Sequence, residues 1–95
     1  MPAVKFEVLW PDEETCLYYC PSTVIHQYLQ EKKVYPLEDF LSRSDQGLLS
    51  ASERVKEKFG YYCSAASDTL TRIHNKASLL KAKDIAGHVQ VIKFL

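Results

Sequence analysis

The cysteines are the residues of this chain whose type and spacing come nearest to metal chemistry. Cys16 and Cys20 have a C-x-x-x-C spacing, which on a helix would place two thiols on one face, where they could bind a metal together. The β-forming residues around them predict a strand instead, and four residues of strand separate two sulfurs by roughly 13 Å. Two sulfurs that far apart cannot bind one zinc ion. We therefore expect no metal and no cofactor, and a buried structural role for all three cysteines.

Catalytic motifs are not recognisable in the sequence. A cysteine nucleophile would need a histidine beside it, yet His26 and His74 fall on predicted polar helix faces and no local signature joins either to a cysteine. The glycines lie far apart, and the phosphate-binding patterns G-x-x-x-x-G-K and G-x-G-x-x-G do not occur. Neither G-x-S-x-G nor H-E-x-x-H occurs. We predict no catalytic residues and expect that the protein is not an enzyme.

Some polar residues near predicted helix starts support an alternative function, a small-molecule, anion or metal-binding accessory subunit of an enzyme. Cys20 and Cys63 each adjoin such a start, and two helix N-termini that converge could hold an anion in a pocket between a hairpin and the helices. This alternative requires that the two cysteines meet in space. Its candidate ligand-binding residues are Cys20, Ser22, Cys63, Ser64 and Arg54.

Tyrosine and tryptophan are abundant for a chain of 95 residues. Their apolar rings with polar tips are typical of protein contact surfaces, although such rings also fill the core of a small domain, the position favoured for Trp10 and about half of the tyrosines. Because successive side chains of a strand point to opposite faces, Tyr18 and Tyr19 cannot both point inward. The candidate partner-binding residues are Trp10, Tyr18, Tyr19, Tyr61 and Tyr62.

The N-terminal residues predict the antiparallel β-hairpin that would carry three of these rings. Apolar residues alternate with others from residue 4 to residue 10, and this period of two predicts a strand with one buried face. Residues 11–14 form a polar turn, and β-forming residues resume over residues 15–20. Ser22 can cap a short helix, which a solvated link at residues 31–33 joins to the next element.

Two amphipathic helices are predicted next, packed as an antiparallel hairpin. Gly60 ends the first and Ser64 caps the second. A seven-residue apolar register continues across Gly47, which favours one continuous first helix; the alternative is a kink near Gly47. The apolar face of the first helix comprises Leu37, Phe40, Leu41, Leu48, Val55 and Phe59, and that of the second comprises Ala66, Leu70, Ile73, Ala77 and Leu80.

The fold class follows from this order of elements. Gly87 closes the second helix or its tail, and the β-branched residues within 88–95 predict a third strand. We predict one α+β domain over residues 1–95, in which a β-hairpin and a C-terminal strand pack on an antiparallel pair of long helices, with one short helix between. The alternative for the last strand is pairing with a second subunit.

Charge and hydropathy exclude two classes of partner. Twelve basic residues balance twelve acidic residues, and no block of like charges provides the electrostatic footprint of a nucleic-acid-binding protein. No apolar run approaches the roughly 18 residues that a membrane span needs, and the first residues lack the pattern of a signal peptide. We expect a cytoplasmic protein that binds neither nucleic acid nor membrane.

Several segments together resemble a family of bacterial nitrogen-starvation-response small proteins. They are VLWPD at residues 8–12, YCPSTVI at 19–25, YPLEDF at 35–40, ASERV at 51–55, KFGY at 58–61 and CS at 63–64. The likeness covers residues 1–80, and the segment from residue 81 onward departs from the pattern. The resemblance implies an association with nitrogen limitation and with gene clusters that encode a nitrilase-type hydrolase, and it assigns no catalytic residue.

Taken together, the residues and the resemblance predict a small non-enzymatic interaction or regulatory protein. Its expected partner is an enzyme of the nitrilase-type gene cluster or a second copy of the chain, and the exposed aromatic residues would form the contact. The absence of any recognisable set of nucleophile, base and oxyanion donors favours this reading.

Overall fold

A computed structural model describes residues 3–61 and 64–95. Within these residues the chain forms four strands, two α-helices and one 3₁₀ helix. In chain order they are β1 (Val4–Leu9), β2 (Thr15–Cys20), the 3₁₀ helix (Thr23–Gln27), β3 (Val34–Pro36), α1 (Leu37–Phe59), α2 (Ser64–Ala82) and β4 (His88–Phe94). The helices pack on one face of the sheet, which confirms the predicted α+β class.

The sheet is antiparallel throughout, with the strand order β2-β1-β4-β3. The predicted hairpin and the predicted C-terminal strand are confirmed, and a fourth strand, β3, was not predicted. This strand is only three residues long, and it forms where Tyr35 pairs with Val89 of β4. Its Pro36 also directly precedes α1, so that the sequence there reads as a helix start.

The hairpin of β1 and β2 closes through a tight turn that the sequence specifies. Pro11 occupies the second position of a turn in which the Glu13 amide donates to the Trp10 carbonyl at 2.9 Å. Glu13 then adopts a left-handed conformation with φ of 70°, and the Trp10 amide donates to the Glu14 carbonyl at 2.9 Å. This is a three-residue hairpin loop with a bulge, in which the left-handed position usually belongs to glycine.

The C-terminal strand β4 lies inside the sheet, between β1 and β3. It therefore pairs within its own subunit, and the alternative of pairing with a second subunit is not what the structure shows. The register shifts by one residue between Glu7 and Val8 of β1, which leaves Ile92 as the extra residue of a β-bulge. Because Val89 and Val91 are fully buried, the last strand contributes directly to the core.

α1 runs unbroken for 23 residues through Gly47, as the seven-residue register predicted. Glu38 and Asp39 lie in its first turn, where negative charge opposes the positive end of the helix dipole. Gly60 ends the helix in the left-handed conformation, with φ of 81°, and its amide donates to the Lys56 carbonyl at 2.7 Å. This stop was predicted from the sequence.

α2 starts at Ser64, which is its first helical residue rather than its cap. At its other end α2 ends at Ala82, and the left-handed residue that terminates it is Asp84 and not Gly87. Asp84 is left-handed with φ of 56°, the Ile85 amide donates to the Leu80 carbonyl at 2.9 Å, and the Asp84 amide donates to the Lys81 carbonyl at 3.1 Å. This pair of hydrogen bonds is a Schellman motif formed without glycine, so no residue in the sequence marks it.

The core lies between the sheet and the two helices. The predicted apolar faces are buried or packed against the core, with one exception, since Phe59 is exposed at the last turn of α1. Gly47 lies where the 3₁₀ helix crosses α1, and a Cβ atom there would lie 2.6 Å from Cδ1 of Ile25. The glycine that looked like a weakness of the helix is therefore what allows the 3₁₀ helix to pack against it.

Candidate functional site

Cys20 and Ser22, two of the predicted ligand-binding residues, are buried and hydrogen-bonded to their own segment. The Cys20 thiol donates to the Ser22 carbonyl at 3.2 Å, and the Ser22 hydroxyl accepts from the Val24 amide at 3.3 Å to cap the 3₁₀ helix. Burial raises the pKa of the Cys20 thiol, and the hydrogen bond to Ser22 opposes that shift. Cys20 is a protonated core residue, and neither side chain is available to a ligand.

The other described residues of that predicted anion site, Ser64 and Arg54, are exposed and not buried with them. Ser64 is exposed at the start of α2. Cys63 and Tyr62 lie outside the described residues, so the predicted meeting of Cys20 with Cys63 does not fall within the part of the chain that the structure describes. Cys16 and Cys20 lie on one strand, as predicted, and residues 3–61 and 64–95 contain no cluster of three side chains that could hold a metal ion.

Trp10 and Tyr18, two of the candidate partner-binding residues, are buried, which is the position favoured for Trp10 and makes Tyr18 the inward ring of the pair Tyr18 and Tyr19. The Trp10 indole Nε1–H donates to the Tyr18 hydroxyl at 3.2 Å, and the Phe40 ring packs edge-on against Trp10 at 5.4 Å between centroids. Burial raises the pKa of the Tyr18 hydroxyl well above its ordinary value. The indole N–H is therefore satisfied inside the core by the Tyr18 hydroxyl, which accepts its hydrogen.

Tyr19 and Tyr61 are exposed, in agreement with the prediction that one of Tyr18 and Tyr19 lies on the surface. Tyr19 is 36% exposed on β2, and its neighbour Tyr18 points into the core, in agreement with the alternation of a strand. Tyr61 is 65% exposed just after α1, and its ring lies 6.3 Å from that of Phe59. The rings that could contact a partner are therefore on the outer side of the sheet and at the turn between the helices.

The surface that we call the outer sheet face is the side of the sheet that points away from the helices. Its apolar members are Leu9, Leu17, Tyr19 and Val34. Leu17 is 44% exposed and Val34 is 49% exposed, while Leu9 is half-buried. Antiparallel sheets commonly leave one face to solvent with polar side chains, so the large apolar side chains on three strands of this face make it the candidate contact surface.

The free edge of β2 is closed by side chains of α2. The Thr69 hydroxyl donates to the Tyr19 carbonyl at 2.6 Å, and the Arg72 guanidinium donates to the Leu17 carbonyl at 3.4 Å. The Arg72 guanidinium also lies 5.0 Å from the centroid of the Tyr18 ring. The opposite edge is the three-residue β3, which ends at Pro36. Such edges resist the addition of a further strand.

Lys76 of α2 anchors the hairpin turn. Its ammonium group lies 2.6 Å from a carboxylate oxygen of Asp12 and 3.1 Å from one of Glu14, and the Lys76 side chain is only 10% exposed. The hydrogen bond from Lys76 lowers the pKa of Asp12, and the same bond raises the pKa of Lys76. The turn is therefore held to the helical layer by charge as well as by the burial of Trp10.

Arg54, the remaining ligand-binding candidate, lines a cleft between the 3₁₀ helix and α1. The cleft has a volume of about 570 Å³. We call it the α1 cleft, and its lining comprises Val24, Gln27, Tyr28, Ser50, Glu53, Arg54, Glu57 and Lys58. Across it, the hydroxyl groups of Tyr28 and Ser50 share a hydrogen bond of 3.1 Å. Arg54 was predicted to bind a ligand beside Cys20, but the structure places it in a different pocket.

Comparison with known proteins identifies the family. Residues 5–94 match the family described as nitrogen starvation-induced protein NitG. The chain belongs to this family. No curated protein and no solved structure matches the chain. The family match includes the last strand of this NitG-family chain, so the view that residues from 81 onward depart from the family pattern was wrong.

The family match assigns no chemical role to any residue. Within residues 3–61 and 64–95 of this NitG-family chain, neither α-helix is long and apolar enough to cross a membrane. Sequence reasoning missed Thr69, Arg72 and Lys76, which close the sheet edge and anchor the turn. On α2 these three read as ordinary polar residues, and their partners are 50 or more residues away in the chain, so no local pattern identifies them.

Proposed function

We propose that this NitG-family chain is a small non-enzymatic interaction or regulatory protein of the nitrogen-starvation response, which docks on a protein partner through its outer sheet face. The partner is an enzyme of a nitrilase-type gene cluster or a second copy of the chain. The observation that carries the proposal is the exposure of Leu17, Tyr19 and Val34 on the outer sheet face, together with the closure of the β2 edge by side chains of α2.

The charged residues of the outer sheet face support a docking role as well. Lys5 is opposite Tyr19 and Glu7 is opposite Leu17 in the register of β1 with β2. Such a face provides contact area together with electrostatic specificity.

The test replaces one apolar residue of the outer sheet face and one matched residue elsewhere. Leu17→Lys puts a charge on the face and opposite Glu7, an arrangement that a strand pair tolerates. Leu79→Lys is the control, because Leu79 of α2 is 48% exposed, close to the 44% of Leu17. A tagged chain is purified from nitrogen-starved cells under gentle, low-salt conditions, and the mass of the free chain is measured by sedimentation.

We expect the parent chain and the Leu79→Lys variant to carry a cluster enzyme, or a second copy, in near-stoichiometric amount. The Leu17→Lys variant should lose most of it while its circular dichroism spectrum is unchanged. Recovery of the bare monomer from the parent chain, or equal binding by both variants, contradicts the proposal. Catalytic turnover by the isolated chain would contradict its non-enzymatic part.

A further inference from the structure

We propose that the α1 cleft binds a small zwitterion of the amino-acid class, with the carboxylate of the ligand on Arg54 and its ammonium group on Glu57. This site is separate from the outer sheet face, so it adds a ligand to the proposed function and does not depend on it. The proposal is carried by the shape of the cleft, by the sign of the charges along it, and by the polar contacts at its floor.

The floor of the α1 cleft is fixed by packing and by hydrogen bonds. Tyr28 joins the end of the 3₁₀ helix to α1, since its hydroxyl bonds to Ser50 at 3.1 Å and its carbonyl accepts from the Arg43 guanidinium at 3.2 Å. Gly47 lies between these contacts along α1, and there the two helices approach so closely that a Cβ atom would overlap Ile25. The cleft is therefore formed before any ligand arrives, as small-molecule sites usually are.

The charges along the α1 cleft form two rows of like sign. Glu53 and Glu57 are four residues apart on α1, as are Arg54 and Lys58, so each residue has a like charge one turn away. This i,i+4 repulsion acts beside an attraction, since Arg54 and Glu57 have opposite charges three residues apart on α1. In the part of the chain that the structure describes, no ion pair neutralises Glu53, Arg54 or Glu57.

This pattern selects the class of ligand. A simple anion drawn to Arg54 would also meet the carboxylate of Glu57, and a cation drawn to Glu57 would meet Arg54. A molecule that has an ammonium and a carboxylate group on the same carbon atom can pair with both rows of charge at once. A free amino acid is the smallest common example. Arginine binds a carboxylate through two parallel hydrogen bonds, and the half-buried ring of Tyr28 offers an apolar contact for the ligand side chain. The volume lies within the usual range for small-ligand pockets, about 300–1,000 Å³.

The experiment is a titration of the ¹⁵N-labelled full chain with single L-amino acids at millimolar concentration, followed by the amide signals of Gln27 and Ser50. For each amino acid that shifts these signals, the N-acetyl derivative, the carboxamide derivative and inorganic phosphate are titrated in parallel. We expect at least one free amino acid to bind with saturation. The N-acetyl derivative lacks the ammonium charge and the carboxamide derivative lacks the carboxylate charge, and each should bind about tenfold or more weakly. The free energy of a charge-assisted hydrogen bond exceeds the roughly 1.4 kcal/mol that a factor of ten requires.

Three variants locate the site. Arg54→Gln and Glu57→Gln should each weaken the same binding by about tenfold or more. Lys83→Gln is the matched control, since Lys83 is exposed and outside the cleft, and it should bind like the parent chain. The proposal is overturned if no amino acid shifts the cleft signals, if phosphate or either derivative binds equally well, or if Arg54→Gln binds like the control. Unchanged thermal unfolding of each variant shows that a loss of binding is not a loss of fold.

Discussion

Replacing Gly47 with alanine tests how tightly the 3₁₀ helix packs on α1. In an exposed helix interior this change would raise the free energy of unfolding by about 1 kcal/mol, because alanine is the better helix former. Here the new Cβ atom would lie 2.6 Å from Cδ1 of Ile25 and 3.3 Å from Cδ2 of Tyr28. Ile25 is fully buried, so its terminal methyl group cannot move aside freely.

The two effects have opposite signs, and the steric effect is the larger. Inserting a methyl group into a well-packed core costs about 1–3 kcal/mol. Subtracting the gain in helix propensity, we expect Gly47→Ala to lower the free energy of unfolding by about 1 kcal/mol. Ile25→Val removes the methyl group that causes the overlap, and alone it should cost about 1 kcal/mol.

The double variant separates the two effects. In the Ile25→Val background, Gly47→Ala should no longer destabilise and should gain up to about 1 kcal/mol from helix propensity, so that the coupling energy between the two sites is about 1–2 kcal/mol. Gly60→Ala is the control, because Gly60 is left-handed with φ of 81° and nothing lies within 4 Å of an added Cβ. It should lose about 1 kcal/mol whether or not Ile25 is replaced.

The assay is urea unfolding followed by far-UV circular dichroism. The free energy of unfolding is extrapolated linearly to zero urea, and its dependence on urea concentration should be the same for all variants. The reasoning is refuted if Gly47→Ala stabilises the otherwise unchanged chain by the full propensity gain. It is also refuted if the effects of Gly47→Ala and Ile25→Val are additive, since then the methyl group of Ile25 does not limit the approach of the two helices.

Three further predictions concern the hairpin turn and one buried hydroxyl. Glu13→Gly should raise the free energy of unfolding by about 1 kcal/mol because Glu13 is left-handed, whereas Glu13→Ala should not, and urea unfolding compares them. Ser44→Ala should stabilise by about 1 kcal/mol in the same assay, because the buried Ser44 hydroxyl has no hydrogen-bond partner among the described residues. The pair of Asp12 with Lys76 stabilises the fold above the ordinary Asp12 pKa of 3.8, and this contribution is lost as the pH falls through the lowered pKa of the folded state. Unfolding free energies measured from pH 2 to 6 should therefore fall less steeply with acid in Lys76→Gln than in the parent chain, and equal slopes would contradict the assignment.

The hairpin and the two long helices could be predicted because each repeats one period over many residues. The short strand β3 could not, since three residues contain no period and Pro36 reads as the start of α1. What creates β3 is the neighbouring strand, because Tyr35 is placed opposite Val89. The end of α2 at Asp84 was missed for a similar reason, since the left-handed position there is occupied by aspartate and not by glycine.

The candidate contact residues were predicted only in part. Alternation along β2 showed that one of Tyr18 and Tyr19 must be exposed. The tight turn sets the register of β1 with β2, and this register decides which of the two tyrosines is exposed. A hairpin that pairs Leu9 with Thr15 also pairs Phe6 with Tyr18, and this places Tyr18 on the same face as the buried residues of β1. The closure of the sheet edge and the α1 cleft depend on contacts between distant segments, which no local pattern describes.

The closed edges constrain how this sheet can meet a partner. Addition of a strand to β2 would require the Thr69 hydroxyl and the Arg72 guanidinium to leave the carbonyls of Tyr19 and Leu17, and the partner would have to replace both hydrogen bonds before it gained anything. Docking on the outer sheet face leaves these bonds intact and covers apolar area that is already exposed. A partner of this chain should therefore recognise side chains of the sheet face and not its backbone, so the identity of Leu17 should matter more to binding than the hydrogen bonds of β2.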